Sequence, residues 1–155
     1  MVILLVTGPH GVGKTSYLRR LYYTLVDRGF SAYGVVERPF VVKDRRTAYY
    51  LELLPYNTLI PVAKRRGYTG GLGDFEFLEE GFKRALKMLN SVKAQCIILD
   101  EIGRLELQGR GLWPLFEWFT TKNRPDYLIL GVQSRILVML TKRLLRLSLK
   151  DFIVV

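Results

Sequence analysis

The sequence has 155 residues, 49% of them hydrophobic, so residues 1–155 are predicted to form one domain with a buried core. A formal net charge of +10 excludes a strongly acidic protein and favours polyanionic ligands, with nucleic acid as one candidate partner. The basic residues lie in small clusters, not in one tail, so a solvated surface is the simpler interpretation of most of them.

Cysteine content and hydropathy indicate a cytoplasmic protein. The single cysteine, Cys96, lies in an apolar strand pattern and has no partner for an intramolecular disulfide, as expected of a reduced compartment. The apolar run at residues 2–6 is too short for a signal-peptide core, and no stretch approaches the length of a membrane span. We therefore expect a soluble monomer or weak oligomer without membrane association.

A phosphate-binding loop is the clearest motif. Residues 8–15, GPHGVGKT, fit the pattern G-x-x-x-x-G-K-[ST], between a predicted strand at 2–6 and a predicted helix at 15–28 that Gly29 ends. The glycines let successive backbone N–H groups converge on an anion, which the helix N-terminus also faces. The residues predicted to bind the nucleotide here are Gly8, Pro9, His10, Gly11, Val12, Gly13, Lys14, Thr15 and Ser16. A glycine turn that only caps the helix is the alternative.

Two side chains of the loop have predicted chemical roles. Lys14 should reach the β- and γ-phosphates, and it is therefore also a candidate catalytic residue. The Thr15 hydroxyl should ligate a Mg²⁺ ion that bridges those phosphates. His10 occupies a variable position of the motif and is expected to face solvent.

The middle of the chain predicts an inserted antiparallel segment. A strand at residues 32–36 should stop at Pro39, and residues 47–54 and 58–63 should form a hairpin around the turn at 55–57. Glu37 and Arg38 follow the first of these strands, where a surface ion pair is a simpler interpretation than substrate contact. The aromatic residues of this segment could stack on a nucleobase, but packing within the protein is the simpler interpretation. They are Phe40, Tyr49, Tyr50 and Tyr56. The glycine-rich residues 67–73 are either a loop near the ligand or a connector, and Asp74 should cap a helix that includes Phe77 and extends to about Val92.

A second buried strand, predicted at residues 95–101, ends in two carboxylates. Asp100 should hold Mg²⁺, which keeps much of its hydration and needs only one or two protein carboxylates. Glu101 is a candidate catalytic base that activates a water in line with the γ-phosphate. A surface carboxylate beside a metal ligand is the alternative for Glu101.

Two further residues are candidates for this centre. Arg104 could reach transition-state charge on the phosphoryl oxygens, and pairing with Glu106 explains it equally well. Gln133 ends the predicted strand at 127–132, and its amide could contact the γ-phosphate if that strand lies between the other two. A simple strand-end hydrogen bond is the alternative for Gln133.

The remaining segments complete a three-layer α/β fold. A helix at residues 112–119 accommodates Pro114 in its first turn, a basic apolar helix covers 136–147, and a last strand lies at 151–155. Together the elements predict a Rossmann-like P-loop fold: a mostly parallel sheet with helices on both faces and an inserted antiparallel β segment.

The chain resembles the thermophile and cancer-related nucleoside-triphosphatase family. Residues 99–107, LDEIGRLEL, resemble that family's D-E-I-G-[KR]-M-E-L signature, with Leu105 in place of Met. The resemblance implies a Mg²⁺-dependent hydrolase of ATP, GTP and other nucleoside triphosphates with broad base tolerance. It also implies that residues 8–15 bind phosphate, Asp100 serves Mg²⁺ and Glu101 activates water.

Hydrolysis of nucleoside triphosphates is therefore the predicted function. One alternative is a small kinase that passes the γ-phosphate to a hydroxyl of a nucleotide or metabolite. The other is a nucleotide-regulated nucleic-acid-binding protein that uses the basic clusters.

Overall fold

A computed structural model of the chain describes residues 1–9, 11–66 and 75–155. Its strands are β1 (Val2–Gly8), β2 (Ala32–Val42), β3 (Arg45–Leu54), β4 (Thr58–Arg65), β5 (Phe75–Phe77), β6 (Cys96–Ile102), β7 (Tyr127–Gln133) and β8 (Phe152–Val154). They form one sheet in the order β5-β4-β3-β2-β6-β7-β1-β8. The sheet divides into two regions that differ in the direction of pairing.

The parallel half contains β2, β6, β7, β1 and β8, which pair in parallel from neighbour to neighbour. The antiparallel extension contains β3, β4 and β5, which continue the sheet from β2 through antiparallel pairs. The predicted hairpin and last strand are thus confirmed, as is the mostly parallel sheet with an inserted antiparallel segment. Whether residues 1–155 form a single domain stays a prediction.

Helices cover both faces of the sheet. They are α1 (Lys14–Asp27), α2 (Glu79–Leu89), α3 (Arg104–Leu107), α4 (Trp113–Thr121) and α5 (Leu137–Arg146), the last preceded by a 3₁₀ turn at Ser134–Ile136. Within the described ranges, no helix is long and apolar enough to cross a bilayer.

The side chains of the central strands point alternately to the two faces of the sheet, and their contacts show that the helices lie in two layers, one on each face. Cys96 and Ile98 of β6 pack with Leu18 and Tyr22 of α1, and Cys96 is a buried core residue as predicted. The intervening residues of β6 instead belong to the core that α2, α4 and α5 cover. Each side chain of a strand points to the face opposite its neighbour, so both faces of this buried strand are apolar.

Two predicted boundaries are wrong. β2 does not stop at Pro39 but continues to Val42, because its pairing with β6 ends at Val35 and β3 is its one neighbouring strand beyond that point among the described residues. A proline without an N–H is tolerated where one side of the strand is unpaired. Phe77 belongs to β5, and the following helix begins at Glu79, two residues later. The predicted loop at 67–73 and the cap Asp74 lie outside the described residues.

Candidate active site

The loop between β1 and α1 has a backbone conformation that favours glycine at two positions. Gly11 and Gly13 have φ angles of 79° and 90°, in the left-handed region that residues with a Cβ rarely adopt. Pro9, Gly11, Val12 and Gly13 are exposed, as is Ser16 in the first turn of α1. The N-terminal N–H groups of a helix have no intrahelical acceptors, so this end of α1 is suited to an anion. His10 lies outside the described residues.

Lys14 is held back against the sheet. Its side chain is buried, and its Nζ donates to the carbonyl oxygen of Gly8 at 3.4 Å. The same Nζ lies 3.5 Å from Oε1 of Glu101, which is also largely buried. The ammonium group of the phosphate loop and the predicted catalytic carboxylate therefore meet at one point.

Thr15 and Asp100 form the second contact between the loop and β6. The Thr15 hydroxyl donates to Oδ2 of Asp100 at 2.6 Å, and Asp100 is fully buried. The other carboxylate oxygen, Oδ1, has no hydrogen-bond partner within the described residues. Burial raises the pKa of Asp100 to about 6, although the Thr15 hydrogen bond lowers it in part. A cation at Oδ1 would satisfy both the orphaned oxygen and the buried charge.

Gly131 in the neighbouring strand β7 makes the space for this carboxylate. A Cβ at position 131 would collide with Oδ1 of Asp100 and would lie 2.7 Å from Cδ1 of Leu18. The sequence reasoning missed this residue. The available signal was a glycine inside an apolar strand, which often marks a close approach of other groups.

Glu37 was assigned the wrong surroundings from sequence. Arg38 does form an ion pair with Glu52, at 3.6 Å, but Glu37 forms none with the residues that the structure describes. β2 and β6 run parallel with Val35 opposite Leu99, so Glu37 and Glu101 occupy equivalent positions, each two residues beyond the last pair of the two strands. Both line one cavity together with Lys14. Burial, with the nearby charge of Glu101, raises the pKa of Glu37 to about 8.

Glu106 fixes the turn after β6 and does not pair with Arg104. Its two carboxylate oxygens accept the backbone N–H groups of Gly103, at 2.8 Å, and Leu112, at 3.0 Å. Arg104 is exposed on the cavity rim and makes no ion pair with any described residue. Of the two interpretations of Arg104, the pairing with Glu106 is wrong, and a guanidinium remains available at the cavity.

Gln133 was a candidate only if its strand lies between the other two strands of the site. This condition is met, because β7 lies between β6 and β1. Its amide packs on Gly103, where an added Cβ would come within 2.8 Å of Nε2, and its Oε1 accepts from Nε of Arg135 at 2.9 Å. The amide also lines the cavity. Its contact with a phosphate stays a prediction.

The residues around Asp100 fit a hydrated Mg²⁺ ion better than a metal bound entirely by protein. The described residues contain no group of three or more His, Cys, Asp or Glu side chains that could hold a metal. One buried carboxylate beside a hydroxyl is instead the small oxygen donor set that Mg²⁺ uses when phosphate oxygens and waters complete its shell. Thr15 and Asp100 are the side chains suited to this role.

The fold and this loop define a P-loop α/β protein, a class that binds nucleotide phosphates at the N-terminus of the first helix. Residues 3–148 match a family model described as NTPase, and the chain belongs to that family.

One curated relative and two solved structures are similar to the chain. The nucleoside-triphosphatase THEP1 of Natranaerobius thermophilus is 29% identical over 109 residues, which cover 66% of this chain and 60% of that protein. The solution structure of a human cancer-related nucleoside triphosphatase has a TM-score of 0.72 and 22% identity, covering 99% of this chain and 87% of its own. The crystal structure of THEP1 from Aquifex aeolicus has a TM-score of 0.66 and 18% identity, covering 99% and 88%. Both structures share the fold.

Proposed function

We propose that this protein hydrolyses ATP, GTP and other nucleoside 5′-triphosphates to the diphosphate and phosphate, with Mg²⁺ and with broad base tolerance. Membership of the NTPase family and the names of the similar proteins support a nucleoside triphosphate as the substrate. The observation that carries the proposal is the position of Glu101, whose Oε1 lies 3.5 Å from Nζ of Lys14 and which lines the same cavity as that lysine.

The loop binds through its backbone and through Lys14. Backbone N–H groups within residues 8–16, where Pro9 alone lacks one, donate to the phosphates, and Lys14 places its charge against the β- and γ-phosphoryl oxygens. Binding of a phosphate at Nζ replaces part of the interaction that Glu101 now makes with that ammonium. Glu101 is then free to accept a proton.

Glu101 is the general base for the attacking water. The water oxygen forms a bond to the γ-phosphorus, the bond to the bridging oxygen breaks, and the water proton moves to the Glu101 carboxylate. Lys14 and Arg104 stabilise negative charge on the phosphoryl oxygens, and the Gln133 amide orients the γ-phosphate. The products are a nucleoside diphosphate and inorganic phosphate.

Thr15 and Asp100 would hold Mg²⁺. When bound, the ion neutralises charge on the β- and γ-phosphates and fixes their orientation. The buried Oδ1 of Asp100 supports this assignment, because the oxygen has no partner within the described ranges.

A phosphate-release assay over ATP, GTP, CTP and UTP, with Mg²⁺ or with a chelator, tests this function. We expect phosphate release from all four substrates with Mg²⁺ and its loss with the chelator. Release from none of them would overturn the proposal, and release from only one would remove the broad base tolerance.

The other sequence-derived predictions do not affect this mechanism. Cytoplasmic location, a monomeric or weakly oligomeric state and binding of nucleic acid by the basic clusters stay predictions.

A further inference from the structure

A cavity of about 490 Å³ extends from Lys14 and Glu101 toward the antiparallel extension. Its volume is within the range of cavities that hold small organic ligands. One end carries charged and polar groups, among them Glu37, Glu101 and Gln133. The wall at the other end is apolar and includes four aromatic rings: Tyr49, Phe75, Phe77 and Phe82.

The lining of this cavity relates it to one end of the proposed nucleotide site. In a phosphate-binding loop the glycine-rich backbone holds the α- and β-phosphates, whereas the lysine reaches the β- and γ-phosphates. Lys14 lines the cavity, but the other described residues of the loop, Thr15 included, do not. The cavity therefore opens from the γ end of the nucleotide site.

The aromatic wall is suited to a flat ring. Phe77 lies on the short strand β5, is 43% exposed and lines the cavity. The rings of Tyr49 and Phe75 hold each other edge to face at 5.1 Å, and the Arg65 guanidinium lies 5.3 Å from the Phe75 ring. Rings fixed in this way present apolar surface to the cavity at little cost in side-chain entropy.

The opposite end of the cavity is suited to hydroxyl groups. Glu37 and Glu101 both line this end of the cavity, from equivalent positions on neighbouring strands, and Glu101 is the proposed base. A carboxyl group forms hydrogen bonds with a hydroxyl whether it is protonated or ionised, so both side chains are suited to hydroxyl partners. A ligand with a heterocyclic ring at one end and neutral hydroxyls at the other has the chemistry of a nucleoside.

We propose that this cavity binds a nucleoside and that the protein transfers the γ-phosphoryl group to one of its hydroxyls. The hydroxyl oxygen forms a bond to the γ-phosphorus, and the bond to the bridging oxygen breaks. The hydroxyl proton moves to Glu101, and the products are a nucleoside diphosphate and a nucleoside monophosphate. This transfer rests on the triphosphate site proposed above, with the hydroxyl in the place of the attacking water.

The test supplies the whole chain with Mg²⁺, ATP labelled in the γ position and, separately, adenosine, guanosine, cytidine, uridine or thymidine. Labelled nucleoside monophosphate and labelled phosphate are measured in the same reaction. We expect at least one nucleoside to become labelled while release of free phosphate falls. Absence of labelled monophosphate with all five overturns the proposal, as does transfer to nucleoside monophosphates but not to nucleosides.

Variants at the aromatic wall locate the acceptor. Phe77→Ala should raise the KM for the nucleoside by about tenfold, in line with the loss of one base-stacking ring. Phe77→Leu, which keeps an apolar side chain and protects the fold, should raise this KM by a smaller factor. Phe40→Ala is the matched control, because Phe40 is 52% exposed on β2 and does not line the cavity.

The KM for ATP separates the two sites. If Phe77→Ala raised the KM for ATP by the same factor without any nucleoside, the cavity would hold the base of the triphosphate and the proposal would be wrong. Hydrolysis without nucleoside transfer overturns this inference alone. Transfer without hydrolysis overturns only the proposed hydrolytic function, so the two failures are distinguishable.

Discussion

The parallel half of the sheet and the antiparallel extension contribute different parts of one site. The parallel half supplies the phosphate loop after β1, Asp100 and Glu101 in β6, and Gln133 at the end of β7. The extension supplies aromatic and aliphatic walls, with Tyr49, Val62 and Phe77 lining the cavity. The residues proposed to act on phosphate thus lie in one region, and the aromatic wall of the cavity lies in the other.

This division has a physical basis. The carboxyl ends of parallel strands meet at one edge, where polar side chains from several strands converge. Antiparallel strands have no shared carboxyl edge, so their side chains contribute surface instead. Substitutions in the parallel half should therefore change turnover, whereas those in the extension should change what else binds.

Within the phosphate loop of the parallel half, the largest expected effect is that of Lys14→Ala. Removal of the ammonium group should lower kcat/KM for phosphate release by about 10²–10³, the range for loss of one stabilising group at a developing charge. Lys142→Ala, an exposed lysine on α5, is the matched control and should leave turnover unchanged. Equal turnover in both variants would contradict the role of Lys14.

The effect of Gly131→Ala on activity should be smaller than that of Lys14→Ala but still large. The added methyl group would displace Asp100 from its place beside Thr15, and we expect about a 10²-fold loss of kcat with a higher Mg²⁺ requirement. Val132→Ala on the same strand creates a cavity at a buried residue and controls for general destabilisation. If both variants lost activity only in proportion to their stability, Gly131 would have no specific role.

The Mg²⁺ requirement should depend on pH through Asp100. Its pKa is raised to about 6, and the protonated carboxyl does not hold a cation. The Mg²⁺ concentration for half-maximal activity should therefore rise about tenfold per pH unit below 6 and stay level above about 7. An equal Mg²⁺ requirement across this range would contradict the assignment of Asp100.

The effect of Glu37 on stability should be the smallest. Its pKa is about 8 in the folded protein against the ordinary 4.5, so the folded state disfavours the ionised form. Ionisation of Glu37 therefore lowers the free energy of unfolding as pH rises from about 4.5 toward 8. Below about pH 4.5 the carboxyl is protonated in both states and this loss is absent. Glu37→Gln should exceed the wild type in unfolding free energy by about 1–3 kcal/mol at pH 8 and by much less at pH 4.

Chemical denaturation of the metal-free protein at several pH values measures this difference. Glu80→Gln, at an exposed position on α2, is the control and should show little change with pH. A difference for Glu37→Gln that did not grow with pH would show that the carboxyl is not desolvated in the folded state.

The sequence predicted the parallel half well because its signals are local. An apolar run, a glycine loop and a helix pattern lie next to one another at residues 2–28, and the buried strand before Asp100 ends in its own carboxylates. Glycine conformations and the Thr15 contact then follow from the requirements of phosphate binding.

The extension and the surroundings of the carboxylates were less predictable because they depend on pairing between distant segments. Local sequence rules predicted that Pro39 ends a strand. Whether it does so depends on whether β6 still pairs with β2 at that point, which the tertiary structure decides. The wrong assignment of Glu37 and the omission of Gly131 have the same origin. Each depends on which residue of a neighbouring strand lies opposite.

The central claim is that Glu101 is the base for attack on the γ-phosphate. Single-turnover phosphate release with saturating ATP and Mg²⁺, in the wild type and in Glu101→Gln, tests it most directly. We expect a rate lower by about 10²–10⁴ in Glu101→Gln, with ATP affinity retained because the phosphate loop is intact. Equal single-turnover rates in the two proteins would contradict it.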